Sequence, residues 1–294
     1  MIEGLLYKAL SGFYTVLTDE GEFVCRARGK FRKEGASPLV GDRVQITPDA
    51  SGNGVVEAIL PRRNSFIRPN VANIDRMVII ASAAIPVTDP FLIDRIAAIA
   101  VLCDCEPILC INKCDLDSAA ELFAVYKDSG FTVIRCSAET GEGIDELRAI
   151  LMGKTSVFTG NSGVGKSSIL NRISDDFAIK TAEVSEKLGR GRHTTRHIEL
   201  YRLDENTFIG DTPGFSSFDT DILSEDNAAE LVRAYREFAP YTDDCQFMDC
   251  THTKERGCGV IEAVRSGKIS RTRHENYVRL HDMAMTVKSW ELKK

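Results

Sequence analysis

The sequence predicts three architectures in series: a small β-barrel, a doubly wound α/β domain, and a helical segment folded around a metal. Three observations predict them. Up to about residue 68, short alternating runs are broken by clusters of turn formers. From 69 to 223, continuous apolar runs alternate with helix-like segments, a pattern that requires a parallel sheet covered on both faces. From 224 to 294, apolar positions recur at helical spacing on either side of clustered cysteines, predicting a helix over 227–238 and a basic-leaning helix or helix pair over 269–292.

The barrel reading rests on strand candidates at residues 13–17, 23–28, 43–46 and 55–59. Turn-rich tetrads at 18–21, 35–38 and 51–54 separate them. Five strands in this length suit an OB-like barrel, a fold that often binds oligonucleotides. Arg26, Arg28, Lys30, Arg32 and Lys33 fall in and after one strand with Phe31 among them. Cations interleaved with an aromatic are the expected surface for single-stranded RNA, the alternative being a strand edge protected by charge.

Charge divides along the same lines. The net charge is −6. Residues 1–70 carry 10 Lys+Arg against 8 Asp+Glu, residues 262–294 carry 8 against 4, and the middle carries 19 against 31. An acidic core between two mildly basic ends suggests an enzyme flanked by modules able to touch RNA. No run approaches the roughly 18 apolar residues of a membrane span, and Glu3 and Lys8 interrupt the N-terminus where a signal peptide would be apolar. The expectation is a cytoplasmic chain with no membrane partner. Nine cysteines form an odd set; Cys103, Cys105, Cys110 and Cys136 sit in apolar runs and read as small buried hydrophobes.

In the middle domain, strands are expected at 77–81, 107–111, 132–136 and 156–159, with helices at 90–102, 119–129 and 143–151. Residues 197–203 and 207–209 alternate and suggest a hairpin edge. Gly160, Asn161, Ser162, Gly163, Val164, Gly165, Lys166 and Ser167 fit G-x-x-x-x-G-K-[ST] at every position, between a strand and a helix entered at Ser168. Glycines let backbone N–H groups wrap phosphates, Lys166 places a charge on the β- and γ-phosphates, and the Ser167 hydroxyl meets Mg²⁺.

Asp211 to Gly214 reads D-T-P-G: a carboxylate at a strand end to hold Mg²⁺, and a glycine N–H for the γ-phosphate. Asn112, Lys113, Cys114 and Asp115 follow another strand. The Asp115 carboxylate can accept from N1–H and the 2-amino group of guanine, a pairing adenine cannot make. Ser137 and Ala138, after the next strand, can offer a backbone N–H to guanine O6. Each motif is short, but four of them, each after a predicted strand, specify a site for GTP or GDP with Mg²⁺.

The set resembles the translation-factor-related GTPases, in rotated order. Their usual succession begins at the phosphate loop; here the guanine motifs come first, then the loop, then Thr194–Thr195, then Asp211. All these motifs occupy loops at one sheet edge, so the site is indifferent to which connection is cut.

Many GTPases place Gln after the D-x-x-G glycine to orient the attacking water; this chain has Phe215. Slow unaided hydrolysis is expected, with stimulation by a partner. Nearby, Gly189 to Arg196 reads G-R-G-R-H-T-T-R. Thr194 or Thr195 can ligate Mg²⁺, and His193 can orient water, the alternative being a contact to RNA or solvent. Lys166, His193, Thr194 and Thr195 are therefore the candidate catalytic residues.

Cys245, Cys250, His252 and Cys258 place three thiolates and one imidazole within 14 residues among polar neighbours. That donor set matches a closed structural Zn²⁺ site.

The whole chain resembles the RsgA family, also called YjeQ or YloQ. The resemblance is carried by the OB-like N-terminus, the permuted motifs at Asn112 to Asp115, Gly160 to Ser167 and Asp211 to Gly214, the segment Gly191 to Thr195, the hydrophobic Phe215, and Cys245, Cys250, His252 and Cys258. It implies a GTPase acting in late maturation of the small ribosomal subunit, rRNA binding by both end domains, and stimulation by that subunit. One structural zinc and a monomeric chain are expected.

Overall fold

The computed structural model describes residues 1–29, 31, 37–66, 69–174, 199–211 and 223–287. Strands β1 (Ile2–Leu10), β2 (Phe13–Thr18), β3 (Gly21–Ala27), β4 (Arg43–Pro48) and β5 (Asn53–Ile59) close into a barrel in the order β1-β2-β3-β5-β4. β1 pairs antiparallel with both β2 and β4, which closes it, while β3 and β5 run parallel. This is the five-stranded barrel that the turn spacing predicts.

The strand at 2–10 has no counterpart among the four predicted, and the reason is local. A bulge between Leu6 and Lys8 shifts the register, so Leu5 and Leu6 are both buried and period-two alternation fails. Phe31 departs from its expected role as a surface aromatic. It is buried in the core at 5% exposure, because a ring flanked by cations removes more apolar area from water by turning inward. Arg28 is ion-paired to Glu57 at 2.7 Å, and Arg26 lies over the half-exposed Phe13 ring at 4.6 Å.

The barrel is seamed to the chain leading into the second sheet. Asp42, wholly buried, takes a two-pronged ion pair from Arg62 at 2.7 and 2.8 Å. β6 (Ser65–Phe66) and β7 (Val71–Ala72) form a short hairpin whose Ala72 N–H donates to Val40 O at 2.8 Å. The boundary expected near residue 68 falls between these two strands, at a position outside the described residues.

The second sheet comprises β8 (Arg76–Ser82), β9 (Glu106–Asn112), β10 (Thr132–Arg135), β11 (Thr155–Gly160), β12 (Leu200–Arg202) and β13 (Phe208–Asp211), in the order β10-β9-β8-β11-β13-β12. All neighbours are parallel except β12, the antiparallel edge. Among the described residues, four helices cross it: α1 (Pro90–Leu102), α2 (Ala120–Tyr126), α3 (Ile144–Leu151) and α4 (Lys166–Ile173). Met77 and Ile79 of β8 face the cluster built with α1 and α2, and Val78 and Ile80 face the cluster built with α3 and α4. Both faces being covered explains the unbroken apolar run. The chain winds outward from β8 to β10, then returns to β11 on the other flank of β8. Such a reversal opens a crevice at the strand C-termini, where ligands bind.

The C-terminal region packs on α1. The predicted helix at 227–238 is 3₁₀ instead, at Glu225–Ala234 and Arg236–Phe238. Its buried residues Ala228, Leu231 and Ala234 recur every third position, the 3₁₀ period. Then come α5 (Ala239–Thr242), α6 (Gly259–Arg265) and α7 (Arg271–Thr286). The helix expected to reach residue 292 ends at Thr286, where Val287 is extended and its carbonyl accepts from Glu225 N–H at 3.1 Å. Among the described residues, no helix is long and apolar enough to cross a membrane.

Candidate nucleotide and metal sites

β11 ends at Gly160 and α4 begins at Lys166, so residues 161–165 form a loop at the switch point. Gly163 and Gly165 have φ of 83° and 94°, a region that residues with a Cβ avoid. At Gly165 a Cβ would also collide with the Asn112 amide. Lys166, Ser167 and Ser168 occupy the first turn of α4, where unpaired N–H groups and the helix dipole favour phosphate. Lys166 Nζ is paired with Asp211 Oδ1 from the end of β13. The phosphate-charge and magnesium carboxylate roles read from the sequence thus meet at one point. His193, Thr194, Thr195 and Gly214 lie outside the described residues.

The guanine motifs arrive on the neighbouring strands. β9 delivers Asn112, which is buried at 2% exposure. Its Nδ2 donates to Val164 O at 2.8 Å, and its Oδ1 accepts from Ala138 N–H at 3.1 Å. One side chain therefore ties the phosphate loop to the loop after β10. Asp115 is exposed and open to a base, and its Oδ1 accepts from Ser137 Oγ at 2.5 Å. A guanine O6 at this loop would share the Ala138 N–H with Asn112 or take the next one, from Glu139. Cys114 N–H donates to Cys136 O at 3.1 Å, holding the two guanine loops together. Lys113 Nζ donates to Ile85 O at 2.6 Å, from the loop after β8.

Cys245, Cys250, His252 and Cys258 converge, their ligand atoms all within 4.8 Å of one another. His252 Nδ1 lies 3.5 Å from the Sγ atoms of both Cys245 and Cys258, and those sulfurs are 3.9 Å apart. A tetrahedral ion with Zn–S of about 2.3 Å and Zn–N of about 2.0 Å has edges of roughly 3.8 Å for S···S and 3.5 Å for S···N. Cys245, His252 and Cys258 therefore sit at the spacing of three corners of such an ion, with Cys250 within 4.8 Å as the fourth donor. α7 backs the site: His274 Nε2 donates to His252 O, and Tyr277 Oη to Thr251 O, each at 2.8 Å.

The profile of the RsgA GTPase matches residues 59–221, and that of the RsgA N-terminal domain residues 3–56. The chain belongs to the RsgA GTPase family. It is accordingly a GTP-hydrolysing enzyme. A relative from Caldanaerobacter subterraneus subsp. tengcongensis, named small ribosomal subunit biogenesis GTPase RsgA, is 43% identical, covering 95% of this chain and 94% of its own. One of the same name from Geobacillus thermodenitrificans is 40% identical over 95% of this chain and 96% of its own. Among solved structures, YjeQ from Thermotoga maritima aligns with TM-score 0.80 and 35% identity over 96% of this chain and 98% of its own. YloQ, described as a circularly permuted GTPase, aligns with TM-score 0.77 and 31% identity over 97% and 95%.

Within this RsgA chain, the structure adds contacts that no motif announces. Arg172, near the C-terminus of α4, donates to the carbonyls of Ala138 and Glu139 at 2.8 and 2.5 Å. Its position in the sequence carries no signal, since the partners are main-chain atoms 33 and 34 residues away.

Proposed function

We propose that this chain is a small ribosomal subunit biogenesis GTPase that binds the subunit, assists its late maturation, and hydrolyses GTP faster in its presence. The observation that carries the GTPase half is the double hydrogen bond of Asn112, which couples base recognition to the phosphate loop. The ribosomal half is supported by the names of relatives that align over nearly the whole chain.

In this reading Asn112 to Asp115 with Ser137 and Ala138 select guanine, and Gly160 to Ser168 hold the phosphates. Asp211, Ser167 and Thr195 serve magnesium, with Thr194 the alternative, and His193 orients the attacking water in place of the glutamine that Phe215 displaces. Cys245, Cys250, His252 and Cys258 hold one zinc, which when bound crosslinks a segment with little core of its own. The division is an OB-fold RNA-binding domain over 1–68, a permuted GTPase domain over 69–223, and a helical zinc domain over 224–294. The end domains contact rRNA, and the protein works in the cytoplasm as a monomer.

The test is phosphate release from GTP and from ATP, by protein alone and with isolated small or large ribosomal subunits. GTP-selective turnover, slow alone and steeply raised by the small subunit only, is expected. Stimulation by the large subunit alone would overturn the assignment, and turnover of ATP at an equal rate would overturn the guanine reading.

A further inference from the structure

Arg172 is exposed, yet its guanidinium is committed: Nε donates to Ala138 O at 2.8 Å and Nη2 to Glu139 O at 2.5 Å. We infer that Arg172 is a positioning residue for guanine selection, setting the direction of the Glu139 peptide N–H that meets O6 of the base. The inference rests on the reading of Ser137–Ala138 as the O6 loop.

A planar guanidinium that grips two successive carbonyls orients two successive peptide planes. In a trans peptide the C=O and N–H point opposite ways, so holding Ala138 O turns the Glu139 N–H away from Arg172. Holding Glu139 O does the same for the Thr140 N–H, which donates to Ser137 Oγ at 3.1 Å. Ser137 Oγ in turn donates to Asp115 Oδ1. On the other side, Asn112 Oδ1 accepts from the Ala138 N–H. The loop between residues 137 and 140 is thus fixed from the Asn112 side, the Asp115 side and the Arg172 side. Helix α4, which carries Lys166 at its start and Arg172 near its end, reaches both the phosphate and the base ends of the site.

The consequence is selective. Without Arg172 the Glu139 N–H loses its fixed direction, while the Ala138 N–H stays held by Asn112, and Asp115, which reads N1 and the 2-amino group, keeps its bond to Ser137. Two nucleotides separate these effects. Inosine diphosphate lacks the 2-amino group and reports on Asp115; 6-thioguanosine diphosphate replaces O6 by a weaker, larger acceptor and reports on the loop.

The experiment measures dissociation constants of GDP, inosine diphosphate and 6-thioguanosine diphosphate for the full-length protein and for Arg172→Ala and Arg172→Lys. In the unsubstituted protein GDP is expected to bind tighter than either analogue. Arg172→Ala is expected to weaken GDP by about 3- to 10-fold, the range of one net hydrogen bond. Its preference for GDP over the thio analogue shrinks, and its preference over inosine diphosphate stays put. Lysine, able to reach one carbonyl, recovers part of the loss. A thio preference unchanged in Arg172→Ala, or an equal loss across all three nucleotides, overturns the inference. If the unsubstituted protein itself fails to distinguish GDP from the thio analogue, the O6 reading of the loop falls first, and the role of Arg172 with it.

Discussion

Arg273 of α7 and Asp94 of α1 form an ion pair with side-chain exposures of 1% and 0%, joining the C-terminal region to the nucleotide-binding sheet through its first crossover helix. Glu237 adds a second carboxylate at 2.7 Å, Asn276 donates to Asp94 at 2.5 Å, and the guanidinium lies 4.2 Å from the Tyr235 ring. Burial works against the charge on Arg273, but Asp94 and Glu237 outweigh it and hold its pKa well above the ordinary value. Because the charges in this knot are paired and hydrogen-bonded, breaking one member is the costly event.

Asp94→Ala should therefore destabilise the protein by about 3–5 kcal/mol, by leaving a buried cation short of one partner. Replacing the pair together, Asp94→Leu with Arg273→Met, should cost less than Asp94→Ala alone. Urea unfolding of the single and double variants checks this, and a double variant that is the least stable would show that the pair is worth more than its desolvation.

Asp115→Asn should exchange guanine for xanthine. Guanine offers two donors to a carboxylate, whereas xanthine has an oxygen at C2 that clashes with it and pairs with an amide N–H instead. The bond from Ser137 Oγ survives, because the amide side chain of this variant keeps an acceptor oxygen there. Binding of GTP should fall by at least about 100-fold, since a mispaired polar group costs roughly 3 kcal/mol in a site built around it. Xanthosine triphosphate should rise above it. Competition against a fluorescent nucleotide gives both numbers.

How legible each residue was depends on what it answers to. The phosphate loop and the guanine motifs answer to a ligand of fixed shape, so Gly165, Lys166, Asn112 and Asp115 could be placed by spacing alone, and the structure brings them to one edge. Both faces of the central sheet are covered, and its strands read as plain apolar runs. The strand at 2–10 escaped because its bulge hides the alternation. Phe31 misled because cations beside a ring look alike whether the ring faces water or the core. Arg172 and the Arg273–Asp94 pair were out of reach for a different reason: their partners lie far along the chain, and nothing local distinguishes them from ordinary surface arginines.

Glu255 shapes the metal loop without being a ligand. Its carboxylate accepts from Thr251 N–H at 2.9 Å, from Thr251 Oγ1 at 2.5 Å, and from the N–H groups of Thr253 and Lys254 at 3.0 Å. Burial alone would push its pKa up, but these bonds outweigh it and bring the pKa down to about 2. Glu255→Gln keeps one acceptor oxygen where two are used, and on the zinc reading should speed release of zinc from the metal-loaded protein to a coloured chelator at neutral pH by about 10- to 100-fold, the usual effect of losing a partner that orients metal ligands. Glu255→Ala should release it faster still. Equal release from all three proteins would mean that the loop is shaped by the cysteines alone.

Gly41 is where the barrel meets the sheet domain, and its substitution should separate stability from nucleotide binding. Its φ is 96°, and an added Cβ would run into the carbonyl oxygen of Ala72. Its N–H donates to Leu6 O at 2.7 Å, and its own carbonyl accepts from Asn73 Nδ2 at 3.0 Å, so the backbone cannot yield without breaking the seam. Gly41→Ala combines left-handed strain with a main-chain collision and should cost about 2–4 kcal/mol. The loops proposed to hold GDP hang from β9, β10 and β11, away from this seam, so GDP affinity should stay within about twofold while the urea midpoint drops. A parallel fall in GDP affinity would reveal that the barrel and the nucleotide loops are coupled through the seam.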